Sequence, residues 1–154
     1  MNRPPPTTPV FITQLRSLPL HSKVRFLGCV NHYDVKTGRL GLEHKYPPLQ
    51  STKRDSANIE RDLVNTKVCV DIYHVLNTIK ADDLQVGAWL NVIGYVRSEP
   101  QTDSNEDDRK GRDLVDQIYV EAIMIHNAGA IDVGEYEQVL ANMQEIKQRF
   151  DPPQ

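Results

Sequence analysis

Two cysteines and five histidines are the residues of this sequence best suited to catalytic chemistry. Cys29 lies three residues before His32, and His74 is a second candidate to meet it in the fold. A thiol beside an imidazole can form a nucleophile. The histidines are scattered over different predicted elements, however, and the sequence lacks Gly-x-Ser-x-Gly, Walker and His-Glu-x-x-His motifs. We therefore predict that the protein is not an enzyme, and that Cys29 and Cys69 are reduced core thiols of an intracellular protein.

The acidic segment 103–107 resembles the beginning of a calcium-binding loop. Such a loop needs glycine at its sixth position and a bidentate glutamate at its twelfth. The sequence has Asp108 and Leu114 at these positions, so the pattern fails where the geometry is most demanding. We predict a solvated loop here, with no bound metal or other cofactor.

Contact with single-stranded nucleic acid is a further possibility, because aromatic rings stack on bases and cations bind phosphates. The candidates lie in predicted strands or in the turns next to them, and they are Lys36, Arg39, Lys45, Tyr73, Tyr95 and Arg97. The net charge is −3, divided into +6 for residues 1–80 (12 Lys and Arg, 6 Asp and Glu) and −9 for residues 81–154 (6 and 15). A protein that binds nucleic acid alone is usually basic. We therefore expect weak binding by the isolated chain; the alternative is that these are ordinary surface residues.

The end of the chain carries the amphipathic pattern of a helix over residues 132–150. Asp132 and Glu135 have the spacing of a capping box. Apolar residues then recur at steps of three and four: Val133, Tyr136, Val139, Leu140, Met143, Ile146 and Phe150. This face is wider than a small domain usually covers, and exposed apolar surface favours association. We predict contact with a partner helix; packing on the protein's own domain is the alternative.

Alternating apolar and polar residues predict five strands upstream of this helix, at 23–34, 39–44, 66–75, 88–97 and 114–126. Short helices are predicted within 10–18 and at 76–84, and Gly28 inside the first strand suggests a bend or bulge. The order has no βαβ rhythm, which argues against a parallel sheet. It fits an all-β fold with flanking helices, namely a five-stranded Greek-key OB-fold barrel with a C-terminal α-helix. An open antiparallel sheet with one packed helix is the alternative.

A chain of 154 residues predicts a single OB-fold domain, placed at 10–150, with disordered tails at 1–9 and 151–154. Residues 45–65 are polar and predict a long loop. We expect no secretory signal at the N-terminus. We also expect no contact with a membrane, because the longest apolar run has four residues.

Two segments resemble the smallest subunit of the telomere-capping CST complex: SKVRFLGCVNHYD at residues 22–34 and YEQVL at residues 136–140. The strand order between them is also similar, so the resemblance covers most of residues 10–150. The size of the loop at 45–65 resembles fungal members of the family.

This resemblance implies a nuclear, non-catalytic OB-fold subunit at the telomeric region of chromosomes. It would pair with the middle OB-fold subunit, join the large subunit in the full complex, support binding of telomeric single-stranded DNA, and help to protect and replicate chromosome ends. The implied partner contact consists of Tyr136, Val139, Leu140, Met143, Ile146 and Phe150 on the helix and Arg25 on the barrel. The guanidinium of Arg25 can bind a partner carboxylate through two hydrogen bonds. The small assembly subunit of a replication protein A-like complex has the same plan and is the alternative.

Overall fold

The structure, a computed structural model, describes residues 3–48, 63–100 and 117–150. These residues contain six strands: β1 (Thr8–Pro9), β2 (Lys23–Asp34), β3 (Arg39–Glu43), β4 (Lys67–Asp71), β5 (Trp89–Ser98) and β6 (Ile118–Asn127). The helical elements include three 3-10 helices, at Ile12–Ser17, Tyr73–Val75 and Ala81–Leu84, and the helix α1 (Val133–Phe150). Residues 63–65 are also helical.

The sheet closes into a barrel because β2, near one end of the strand order, also forms hydrogen bonds with β5 at the other end. The strand order is β1-β2-β3-β4-β6-β5, and β2 also pairs with β5. The β4–β6 and β1–β2 pairs are parallel, and the other pairs are antiparallel. Apart from the short β1, this is the order of the Greek-key OB barrel. The predicted fold class is therefore confirmed, and the alternative of an open antiparallel sheet is wrong.

The interior of the barrel is filled by apolar side chains that point inward from every second strand position. The 3-10 helix Ile12–Ser17 contributes Ile12 and Leu15 to this interior, so the predicted helical segment after residue 10 covers one end of the barrel. Buried residues from the strands include Val24, Phe26, Val30, Leu40, Leu42, Val70, Leu90, Val92, Val96 and Val120.

Two glycines in the strands are explained by close approach. A Cβ at Gly28 would lie 2.9 Å from Cβ of Leu42, and a Cβ at Gly94 would lie 2.4 Å from the carbonyl oxygen of Glu121. The register shifts occur between Val30 and His32 and between Ile93 and Gly94. A bend or bulge was predicted at Gly28; the bulge of β2 lies between Val30 and His32 instead, and Gly28 allows close packing against Leu42.

Two predicted elements are shorter in the structure. The strand predicted at 66–75 ends at Asp71, whose Oδ1 accepts a hydrogen bond from the backbone N–H of Tyr73 at 3.0 Å. A side-chain bond of this kind forms a turn and ends the strand. The helix predicted at 76–84 is only the 3-10 helix Ala81–Leu84.

The disordered tail predicted at 1–9 is incorrect for its last two residues, since Thr8 and Pro9 pair with β2. The backbone N–H of the buried Val10 donates to the carbonyl of Arg25 at 2.9 Å, which holds this segment at the sheet edge. The core position predicted for Cys69 is also wrong, because its side chain is on the outer face of β4 and is exposed. Cys29 is half-buried.

Three predicted segments lie outside the described residues: most of the polar loop at 45–65, the calcium-like segment at 103–114, and the tail at 151–154. Of the helices in the described part of the chain, none has the length and apolar character needed to cross a membrane.

Candidate partner and nucleic-acid surfaces

The helix α1 begins at a side-chain cap. Oδ1 of Asp132 accepts a hydrogen bond from the backbone N–H of Glu135 at 3.1 Å, which satisfies one of the free donors of the first turn. The predicted capping residues therefore fix where α1 leaves the loop that follows β6.

One face of α1 lies against the outside of the barrel. Leu140 is buried, and Gln144 exchanges two side-chain hydrogen bonds with Gln14, at 3.0 and 2.8 Å. The burial of Leu140 and the Gln14–Gln144 pair fix this part of the helix to its own domain.

A buried imidazole joins the start of α1 to the barrel. Nε2 of His44 lies 3.0 Å from Oε1 of Glu137, and the His44 side chain is 3% exposed. The ring packs edge-on against Trp89 at 5.4 Å and Phe11 at 5.8 Å between centroids. The sequence analysis missed this contact, because its two members are 93 residues apart.

The other face of α1 is apolar and open to solvent. Val139 is 51% exposed, Met143 53%, Ile146 54% and Phe150 81%. We call these four residues the exposed ridge. Their spacing of four, three and four residues places them on one side of the helix. The predicted apolar stripe is thus divided, with one part covered by the barrel and one part uncovered.

The predicted partner residues do not all belong to this ridge. Leu140 is only 4% exposed, so its assignment to the partner surface is corrected: the barrel already covers it. Tyr136 is half-buried, and burial raises the pKa of its hydroxyl while the charge of Arg25 opposes that rise. Arg25 is exposed and close enough to act on Tyr136, so these two predicted residues meet beside α1.

The suggested thiol chemistry receives no support from the surroundings of Cys29. Burial raises the pKa of its thiol, and the nearby charge of Glu43 raises it further. A thiol of raised pKa is protonated and is a poor nucleophile. Within residues 3–48, 63–100 and 117–150, no three His, Cys, Asp or Glu side chains are grouped so that they could hold a metal ion.

The predicted cations are mostly paired with carboxylates. Nζ of Lys45 lies 3.1 Å from Oε1 of Glu43. The guanidinium of Arg39 is hydrogen-bonded to Glu99, and although burial lowers the pKa of Arg39, this bond and charge outweigh it and raise the pKa overall. Lys36 is exposed in the β2–β3 turn, and Tyr73 is 72% exposed. The six candidates therefore do not form one basic groove.

Arg39, Tyr95 and Arg97 nevertheless lie around one further residue, Tyr119, which the sequence analysis missed. The guanidinium of Arg39 lies 4.4 Å from the ring centroid of Tyr119, and that of Arg97 lies 5.2 Å from the centroid of Tyr95. Tyr119 and Arg97 are directly opposite each other in the β5–β6 pair. We call these four residues the Arg–Tyr array. Tyr119 could have been found from its outward position between the inward-facing Ile118 and Val120.

Two glutamates and two histidines lie next to the array. Glu99 binds Arg39, and Oε2 of Glu121 lies 3.5 Å from Nε of Arg97. Arg97 also donates a hydrogen bond to Nδ1 of His21, while Oε1 of Glu121 lies 3.5 Å from Nε2 of His74. The side chains of the two arginines and two glutamates are 25–29% exposed.

Solved structures share this architecture. A chain of the crystal structure of the S. pombe Stn1–Ten1 complex matches with a TM-score of 0.56 and 22% identity, over 91% of this chain and 93% of that chain. The crystal structure of the S. pombe telomere capping protein Ten1 gives 0.55 and 24%, over 91% and 99%. U. maydis replication protein A bound to ssDNA gives 0.50 and 14%, over 96% and 98%. The fold and these likenesses define the chain as a small OB-fold protein with a C-terminal helix.

A sequence search among curated proteins finds no match. The model of the Ten1 family, described as telomere capping, CST complex subunit, matches residues 1–141. The chain therefore belongs to the Ten1 family of telomere-capping CST complex subunits. The resemblance noted in the sequence is confirmed.

Proposed function

We propose that this protein is a non-catalytic telomere-capping subunit that pairs with the middle OB-fold subunit of the CST complex. It acts in the nucleus at the telomeric region of chromosomes, where the large subunit completes the assembly. Its role is to support binding of telomeric single-stranded DNA, chromosome-end protection and replication. Family membership and the exposed ridge on α1 support this proposal.

The exposed ridge is the observation that carries the pairing. Its four side chains are each about half exposed or more, and burying an apolar side chain of this size contributes roughly 1.5–3 kcal/mol. The spacing of four, three and four residues is the seam that packs against another helix in coiled coils. A helix of the partner is therefore the element that fits this ridge, with Tyr136 at its edge.

Arg25 provides the polar part of the same contact. It is exposed on β2, beside Tyr136, and has no carboxylate partner among the described residues. A guanidinium can donate two parallel hydrogen bonds to a carboxylate, which fixes orientation as well as adding energy. We expect the partner to present an acidic side chain near the first turns of α1.

Binding of nucleic acid is the weaker part of the function in the isolated chain. Lys45, Arg39 and Arg97 are already neutralised by carboxylates, and the net charge of the protein is −3. The candidate contacts are Lys36, Arg39, Lys45, Tyr73, Tyr95 and Arg97. They contribute chiefly when the partner subunit adds its own contacts.

The test replaces Met143 and Ile146 together by aspartate and measures co-purification with the co-expressed middle subunit. The matched control introduces the same two charges at Gln138 and Gln148, which are exposed and are not three or four positions from any ridge residue. We expect pairing to be lost in the ridge variant and kept in the control. Unchanged pairing of a folded ridge variant would overturn the proposal.

The same co-purification experiment also tests the alternative, that the protein is the small subunit of a replication protein A-like complex. Likeness to U. maydis replication protein A is 14% in identity and shows the fold alone. The middle subunit of replication protein A is therefore used as a second bait. Preference for that bait over the CST subunit would favour the alternative.

A further inference from the structure

We propose that Glu99 and Glu121 block a stacking platform for single-stranded nucleic acid, and that a strand binds by displacing them from Arg39 and Arg97. The platform is the Arg–Tyr array, with Tyr119 as its central ring. This inference rests on the proposed role in binding single-stranded DNA and extends it to a mechanism that limits binding by the free chain.

The array has the composition that a stacking platform needs. Two rings each face one guanidinium group: Arg39 lies 4.4 Å from the centroid of Tyr119, and Arg97 lies 5.2 Å from the centroid of Tyr95. Bases stack on both kinds of plane, and guanidinium groups also bind phosphate oxygens through two hydrogen bonds. Both functions are therefore present on one outer surface that spans β3, β5 and β6.

Glu99 and Glu121 bind the two guanidinium groups that would otherwise bind phosphates. Glu99 binds Arg39, and Glu121 binds Arg97, so these two carboxylates balance the two positive charges of the array in the free protein. Neutral surfaces gain little from counterion release, which provides most of the non-specific affinity for nucleic acid. The pairing therefore explains how a surface rich in arginine and tyrosine can still bind weakly.

The displacement does not require the array to be rebuilt. Arg97 also donates to Nδ1 of His21, so its guanidinium stays in place when Glu121 leaves. Glu121 has a second neighbour in His74, at 3.5 Å, which can retain it. All four charged side chains are more than one-fifth exposed, so a phosphate can reach them without opening the barrel.

The first experiment removes both carboxylate charges, with Glu99→Gln and Glu121→Gln combined, and measures the affinity for a labelled single-stranded oligothymidine. We expect binding at least about fivefold tighter than that of the unmodified protein. The salt slope should steepen by about 0.7 for each phosphate newly contacted. The matched control combines Glu135→Gln and Glu145→Gln, two exposed residues of α1 with the same total charge.

An equal gain in the control would overturn the proposal, because net charge alone would then explain the effect. No gain in the Glu99 and Glu121 variant would also overturn it. Adding Tyr119→Leu to that variant should reduce its affinity by about fivefold to a hundredfold, through loss of base stacking. If adding Tyr119→Leu leaves the affinity unchanged, Tyr119 does not stack on a base and the platform as proposed is wrong.

Two further measurements separate folding and assembly from this mechanism. In the unmodified protein, NMR signals of the side-chain Nε–H groups of Arg39 and Arg97 should shift as oligothymidine is added; unshifted signals at saturation would contradict the proposal even if the variant fails to fold. Co-purification with the middle subunit should be unaffected by Glu99→Gln and Glu121→Gln. If pairing persists without the gain in affinity, this inference fails while the proposed assembly function stands.

Discussion

Nε2 of His44 and Oε1 of Glu137 lie 3.0 Å apart and connect the end of β3 to the first turns of α1. His44 is almost fully buried, and within the described part of the chain its Nδ1 has no hydrogen-bond partner. Glu137 therefore provides the polar contact that compensates for burying this ring. The pair holds α1 in an orientation that leaves the exposed ridge facing outward.

Replacing Glu137 by alanine should lower the free energy of unfolding by about 1–3 kcal/mol, because both ring nitrogens of His44 would then be buried without a partner. Chemical denaturation measures this loss. Glu145→Ala is the control, since Glu145 is exposed and bonds only to Arg149 in the next turn, at 2.8 Å. Its effect should stay within about 0.5 kcal/mol. Equal losses in both variants would contradict the role given to His44.

Leu140 and Met143 should respond differently to the same change. Leu140→Asp places a charge at a buried position and should cost more than about 3 kcal/mol in the free energy of unfolding. Met143→Asp changes a side chain that is 53% exposed and should cost less than about 0.5 kcal/mol. Thermal unfolding of the isolated chain distinguishes them. A Met143 variant as unstable as the Leu140 variant would show that the ridge packs on the barrel.

Gly94 and Gly134 differ in how much space an added methyl group would have. A methyl group at Gly94 would lie 2.4 Å from the carbonyl oxygen of Glu121, so Gly94→Ala must shift β5 against β6. We expect a loss of at least about 2 kcal/mol. At Gly134 in α1 the nearest atom is 3.5 Å away, and Gly134→Ala should stabilise the protein by about 0.4–1 kcal/mol. Denaturation midpoints of the two variants test both signs, and a tolerated alanine at Gly94 would contradict the register.

Glu43 should make stability depend on pH in the acid range. Burial acts to raise the pKa of its carboxyl, but hydrogen bonds from Lys45 and Asn31 outweigh this and lower the pKa overall. A lowered pKa in the folded protein contributes stability above the unfolded value of about 4.3, and the contribution is lost as the pH falls through the folded value. Glu43→Gln should therefore reduce stability at neutral pH by about 0.2–1 kcal/mol.

The same variant should lose less stability than the unmodified protein when the pH is lowered below about 4, because the titrating group is gone. Denaturation curves at neutral and acid pH measure the difference. Parallel loss of stability in the two proteins would show that Glu43 does not contribute to the acid transition.

Local patterns were sufficient for β2 and for α1. The alternation over 23–34 predicts β2 with its observed bounds, and the helix predicted at 132–150 is observed as Val133–Phe150. Residues that alternate or recur every three to four positions report which side of an element is apolar. Such patterns do not show which residues of different strands lie close together. The sequence analysis therefore explained Gly28 by a bend or bulge and not by its closeness to Leu42.

The candidate surfaces were predicted only in part, because their contacts join distant segments. Arg39 and Glu99 are 60 residues apart, and no spacing rule connects them, so the neutralised state of Arg39 was missed. Cys69 lies in an apolar run, yet its side chain points outward from β4. Its alternation with Lys67 and Asp71 places Cys69 on the outer face, so the error was to assign it to the core because it is apolar.

The amino-acid sequence by itself determined β2, the C-terminal helix and the width of the apolar stripe on that helix, because these depend on interactions between neighbours along the chain. Only the tertiary structure decided that Leu140 is covered while Met143, three residues further along the helix, faces solvent. The choice depends on where α1 crosses the barrel, and Gln14, His44 and Glu137 set that crossing through contacts between residues far apart in the chain.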